Sequence, residues 1–150
     1  MKRIYSLLVL LALFLAVLPI PAQASETRST VVYFEDGSYL VTEITESNNR
    51  MLTKVGTKTN TRYDANDVIQ WKMTVTGEFL YDGTSVTCTY ATGTTTIYNH
   101  TNWYMISDSA TYGGTAATYL VTFGSRNLGI TIGKPSFSLT LYCDENGNLS

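Results

Sequence analysis

Cys88 and Cys143 are the only cysteines in the chain, and His100 is the only histidine. A nucleophilic thiol needs a neighbouring base to generate thiolate, and His100 is the one imidazole on offer. Strand parity argues for a structural role. Cys88 alternates with Val86 and Tyr90, and Cys143 with Leu139 and Leu141, so both point to an apolar face. The pair is therefore expected to be a structural bridge or two buried thiols. A bridge would close a 56-residue loop and stabilise the fold by about 4 kcal/mol in the chain-entropy picture. We expect it to form, which needs the two Cα atoms within about 7 Å.

His100 lies in the polar stretch Tyr98-Asn99-His100-Thr101-Asn102, read as a solvated loop. A triad with Asp108 and a serine would need a strand–turn–helix elbow, and no such pattern occurs. One histidine and two widely separated cysteines do not make a zinc site. The acid pairs Glu35-Asp36, Asp64/Asp67 and Asp144-Glu145 each sit in a turn. Asp and Asn favour turns because their side chains bond nearby backbone N–H groups. A glycosidase would need two acids facing each other across a cleft. That alternative, a carboxylate-dependent extracellular hydrolase, requires two of Asp64, Asp67, Glu78, Asp82 and Asp108 to converge in one pocket. Asp144-Glu145-Asn146-Gly147-Asn148 has the opening rhythm of a calcium loop, but Leu149 stands where the loop needs glycine. No glycine-rich phosphate loop opens a helix. No catalytic residue, metal or cofactor is expected. Asn99-His100-Thr101 and Asn148-Leu149-Ser150 match the N-glycosylation acceptor pattern.

Aromatic rings are the remaining candidates, because they stack on sugars and anchor many recognition surfaces. Trp103 shares a parity with Met105 and is read as core. Tyr104 has the opposite parity, and with Tyr98 and Tyr112 it forms the expected binding set.

The elements that would hold these groups follow from length and pattern. The chain has 150 residues, 44% hydrophobic and 15% charged, with net charge −2. That size suits one ordinary domain, and ten basic residues are too few for a nucleic-acid face. Lys2 and Arg3 precede an uninterrupted apolar run of twelve, Leu7 to Leu18, then Pro19, Pro21 and Ala22-Gln23-Ala24. This is the pattern of a secretory signal peptide cleaved after Ala24. Twelve residues are too few to span a bilayer as a helix, which takes about 20. The expected product is a secreted, extracellular chain of net charge −4 with no membrane span, since cleavage removes two bases and no acid.

After residue 24 there are 24 threonines and ten tyrosines, both strand-favouring types. Helical spacing of apolar residues is absent, and Asp36-Gly37, Asp82-Gly83, Gly113-Gly114 and Asn146-Gly147 supply hairpin turns. The spacing predicts an all-β, antiparallel, immunoglobulin-like β-sandwich with an N-terminal β-hairpin extension. Strands are expected at Thr30–Glu35, Ser38–Thr45, Met51–Val55, Thr59–Tyr63, Val68–Tyr81, Thr84–Tyr90, Thr94–Tyr98, Asn102–Ser107, Thr115–Phe123, Leu128–Ile132 and Ser136–Cys143. Gly56 separates the third from the fourth, and Gly77 marks a bulge. Residues 25–67 read as the hairpin extension and 68–150 as the sandwich, with 25–150 forming one compact unit.

Several stretches carry a resemblance: Tyr33-Phe34-Glu35-Asp36-Gly37-Ser38-Tyr39, Thr76-Gly77-Glu78-Phe79-Leu80-Tyr81-Asp82-Gly83-Thr84-Ser85 with Cys88, then Trp103, and Leu139-Thr140-Leu141-Tyr142-Cys143 running into Asn146-Gly147-Asn148-Leu149-Ser150. Together they resemble a group of small secreted β-sandwich proteins of Gram-positive anaerobic bacteria. The resemblance implies a secreted sandwich, a bacterial source and a paired role for the two cysteines, and it carries over no site residue. The function expected is a non-catalytic extracellular module binding a cell-surface component, glycan or protein.

Overall fold

The computed structural model describes residues 26–50 and 52–150, without the side chains of 48–50. The expected signal peptide lies outside the described residues. β1 (Glu26–Tyr33), β2 (Tyr39–Arg50), β3 (Thr53–Tyr63), β4 (Ile69–Tyr81) and β5 (Val86–Ile97) form one antiparallel sheet in sequential order. β6 (Trp103–Gly113), β7 (Ala116–Asn127), β8 (Ile130–Gly133) and β9 (Ser136–Tyr142) form the second. The protein is thus all-β, with two antiparallel sheets packed face to face. Both sheets are meanders. An immunoglobulin-type sandwich uses Greek-key connections, and none joins the described strands, so that likeness stops at two packed sheets. β3 pairs with β4 from Thr53↔Leu80 to Tyr63↔Ile69, so the first sheet runs unbroken through the 64–67 turn.

β8 and β9 are one strand interrupted. Ala116↔Tyr142, Thr122↔Ser136 and Ser125↔Gly133 share a single register along β7. Pro135 lies between them and has no N–H for a ladder, yet its carbonyl still accepts from Phe123 N at 2.9 Å.

Three turns use one seven-residue frame: Tyr33 to Tyr39, Tyr63 to Ile69, and Cys143 to Leu149. In each, the second residue's N–H donates to the carbonyl four positions on: Phe34 to Ser38 at 2.8 Å, Asp64 to Val68 at 3.0 Å, Asp144 to Asn148 at 3.0 Å. The fifth residue of each frame has positive φ: Gly37 at 77°, Asp67 at 62°, Gly147 at 82°. Glycine takes that conformation freely and Asp is among the few others that tolerate it.

The core is the inner face of both sheets. Trp71, Met73, Val75 and Phe79 on β4 meet Ala117, Tyr119, Val121 and Phe123 on β7 and Leu139 and Leu141 on β9, all buried. Trp71 stacks on Phe123 with ring centroids 5.0 Å apart and packs on Phe137 at 4.9 Å. A row of small residues, Gly56↔Gly77↔Ala91, crosses three strands of the first sheet on this face. It lets the second sheet and the C-terminal turn approach closely. A Cβ on Gly77 would lie 2.8 Å from that of Ala117, and one on Gly56 would overlap the Leu149 side chain.

Three expectations change as a result. Gly56 does not separate two strands, because β3 continues through it to make room for Leu149. Thr84–Tyr90 and Thr94–Tyr98 are likewise one strand, β5, whose Gly93 lies under the Tyr119 ring. The bulge expected at Gly77 lies instead on β5, where Thr89 is the extra residue opposite Glu78 and Phe79.

Candidate functional site

The side of the first sheet facing away from the core is covered by no described element, and threonine dominates it. Registers Thr27↔Thr45, Thr45↔Thr57, Thr57↔Thr76 and Thr76↔Thr92 place one threonine from every strand in a single row. The next row reads Ser29, Glu43, Thr59, Thr74, Thr94, and the one beyond it Val31, Val41, Thr61, Lys72, Thr96. Neighbouring strands lie about 4.8 Å apart, and alternate residues along a strand about 6.7 Å apart. The face is therefore largely a grid of methyl and hydroxyl groups, interrupted by Glu43 and Lys72 and with Thr59 and Thr61 buried within it. Some hydroxyls bond one another, as in Thr59 Oγ1 to Thr74 Oγ1 at 3.0 Å and Thr27 Oγ1 to Thr45 Oγ1 at 3.2 Å.

A tyrosine ladder closes one end of the grid. Tyr33, Tyr39 and Tyr63 are directly opposite one another on β1, β2 and β3. Tyr39 and Tyr63 stack at 4.7 Å with 8° between planes, and Tyr33 tilts onto Tyr39 at 5.4 Å. Burial, reinforced by the Asp67 carboxylate accepting from its hydroxyl at 3.0 Å, pushes the Tyr39 pKa upward. Tyr33 ends the ladder with 73% of its surface exposed. Sequence reading overlooked this set. The available signal was position, since each tyrosine immediately flanks one of the equal-length turns.

The structure does not gather Tyr98, Tyr104 and Tyr112 into one patch. Tyr98 follows β5 in a shallow cleft with Val68, Ile69, Asn99, His100 and Thr101. Tyr104 lies on the outer face of the second sheet, with its ring in the space above Gly124. The Arg126 guanidinium covers that ring at 4.2 Å from the centroid, and Thr131 shares a 3.2 Å hydrogen bond with the hydroxyl. Its faces are taken. Tyr112 is exposed at the far end of β6, about 26 Å along the strand from Tyr104 at the usual rise. Trp103 packs against the core, edge-on to Trp71 at 6.3 Å.

Cys88 and Cys143 are both buried, and both are free thiols. The bridge expected from their parity is not formed. Each amide is held by a different residue of the β6–β7 turn region: Cys88 N donates to Gly114 O at 2.7 Å, and Cys143 N to Thr115 O at 3.0 Å. The β6–β7 connection thus bonds both backbones. Burial raises the Cys88 pKa, and burial together with the Asp144 charge pushes that of Cys143 up to about 11. Neither is an activated nucleophile, which requires the opposite shift.

The carboxylates are turn-formers. Asp82 accepts from the N–H groups of Thr84 and Ser85 at 2.9 and 2.7 Å and from both hydroxyls, which hold its pKa down at about 2. Asp36 is lowered by Ser38, and Asp144 by Asn148. Asp64 accepts from the N–H groups of Asn66 and Val68 and from Gln70 Nε2. Asp67 accepts from Tyr39, and Asp108 from the Tyr119 hydroxyl at 2.7 Å. Glu78 stands on β4 opposite Val55 and Tyr90. Of the five candidate hydrolase acids, Asp82 lines a cleft with Leu52, Leu80 and Tyr81. A second cleft brings Thr84 and Ser85 together with Thr115, Cys143 and Asp144.

Among the described residues, no three of His, Cys, Asp and Glu gather closely enough to hold a metal ion, and no helix is long and apolar enough to cross a membrane. No family model, curated protein or solved structure matches the chain.

Proposed function

We propose that the protein is a secreted, non-catalytic β-sandwich module that binds a cell-surface component, and that this component is a glycan engaged by the threonine grid. The supporting observation is the row of five threonines, one from each strand, on a face that no described element covers. A polysaccharide chain alternates hydroxyls with C–H patches. Threonine answers both, because its hydroxyl donates and accepts while its methyl gives apolar contact. The array is held by strands rather than loops, so little ordering cost accompanies binding. The secreted route read from the leader pattern, and the bacterial source that the resemblance implies, belong to the same reading.

A glycan array, followed by titration with cell-wall polysaccharide from a Gram-positive anaerobe, tests it. Thr57→Lys and Thr94→Lys should each weaken binding at least tenfold, about 1.4 kcal/mol, with an unchanged circular dichroism spectrum. Absence of binding to every glycan tested, or binding unaffected by both substitutions, removes this reading.

A further inference from the structure

The first sheet ends in β1, whose eight residues are all exposed. The phase of its hydrogen bonds follows from its turn. Phe34 N donates to Ser38 O, directly opposite, so Phe34↔Ser38 is a narrow pair. Narrow and wide pairs alternate in an antiparallel ladder. The register from Glu26↔Glu46 to Tyr33↔Tyr39 has no shift, so the even-numbered residues of β1 bond β2. The N–H and C=O groups of Thr27, Ser29, Val31 and Tyr33 therefore point away from the sheet. No described residue bonds them.

Unpaired edges invite pairing, and proteins blunt them with proline, lysine or bulges. The β8–β9 edge carries Lys134 and Pro135. β6 has a register shift between Met105 and Ser107, and at β5 Cys88 N is bonded by Gly114. β1 has no proline, lysine or bulge, and its one base, Arg28, is turned back onto Glu46 and the Leu149 carbonyl. It carries Val31, Val32 and Tyr33, which are 46%, 54% and 73% exposed.

We propose that β1 pairs with β1 of a second copy of this chain, antiparallel about a two-fold axis through Thr30. The strand is self-complementary in that register. Thr27 then faces Tyr33 of the other copy, and Ser29 faces Val31, so all four outward-facing residues of each copy enter narrow pairs. Four narrow pairs make about eight hydrogen bonds. Sliding the strands by one repeat either way forfeits one of the four. On the other side of the seam, Arg28 lies opposite Val32 and Thr30 opposite Thr30, so no like charges are directly opposed. The interface is isologous, as a closed dimer requires. Both threonine grids then lie on the same side of one ten-stranded sheet. The proposal does not rest on the glycan reading, because mass and cross-linking are measured without any ligand.

The test is light scattering across a concentration series, on the chain expressed in full and purified as its host releases it. A dimer mass is expected. Val31→Pro removes an outward N–H and leaves the β1–β2 bonds intact, so it should give a folded monomer. Val32→Pro removes an inward N–H and should instead lower stability. Thr30→Cys places two thiols at a wide pair, where Cα atoms lie about 4.5 Å apart, so mild oxidation should yield a covalent dimer. A monomeric wild-type mass at all concentrations overturns the proposal. So does a dimer that survives Val31→Pro while Thr30→Cys fails to cross-link.

Discussion

The ring of Tyr119 lies where a side chain on Gly93 would have to be. A Cβ built on Gly93 would overlap three ring carbons. The ring cannot swing away cheaply, because its hydroxyl donates to Asp108 at 2.7 Å and shares a 3.0 Å bond with Thr95. Gly93→Ala should therefore cost about 1–3 kcal/mol through overpacking. Gly113→Ala, with nothing within 4 Å of its Cβ, should stay within about 0.5 kcal/mol of wild type. Urea unfolding of both measures the contrast, and equal midpoints would show that the two sheets give way at Gly93.

Lys54 and Glu46 form an ion pair at 2.6 Å on the inner face, with side chains 8% and 13% exposed. Burial raises the Glu46 pKa, but Lys54 and Arg28 more than offset it, so the net shift is downward. Glu46→Gln removes the charge that both cations face and should destabilise by about 3 kcal/mol. Chemical denaturation measures the loss, and a variant as stable as wild type would show that the pair contributes nothing.

The thiols set an alkaline limit. Cys143 has an ordinary pKa near 9.0, raised in the fold to about 11. Above pH 9 the unfolded chain releases this proton while the folded chain retains it, so stability falls as pH rises. The fall spans pH 9 to 11 and amounts to about 3 kcal/mol from this group. Cys143→Ala should flatten that part of the stability–pH curve while lowering stability at pH 7. A wild-type curve with no slope from pH 9 to 11 would contradict the burial of this thiol.

Both cysteines should be shielded rather than bridged. Alkylation of native protein at pH 8 is expected to be slow, and alkylation after denaturation without reductant should add two labels. Mass spectrometry reads both. A denatured protein that takes no label would establish the bridge in place of the free thiols.

Asp64 and Asp144 occupy the same position in two copies of one turn frame, each accepting from the N–H groups two and four residues on. Replacement by Ala should cost about 1 kcal/mol at either site, and Asn, which keeps an acceptor oxygen, should cost less. Thermal melts of the four variants test the equivalence.

Strand content, turn positions and the inward face of β9 were legible in the amino-acid order. Those signals are local: alternation with period two, and Asp, Asn and Gly where a chain reverses. The repeated turn frame was also present, in the equal spacing from Tyr33 to Tyr39 and Tyr63 to Ile69. Partners across space were not legible. Gly56 read as a strand break because glycine weakens an isolated strand, and the break expected between Tyr90 and Thr94 contains Gly93; only Leu149 and Tyr119, brought over these glycines by the C-terminal turn and the second sheet, make the missing side chain a requirement. The cysteines show the same limit. Parity put both inside, but bridging depends on how their backbones and side chains are oriented in the assembled fold, and here both thiols are free. The threonine grid is the largest such case. Each threonine merely favours a strand, and the registers of five strands align one from each into a row. Register is a property of paired strands, so a face assembled from five of them exists only once all are paired.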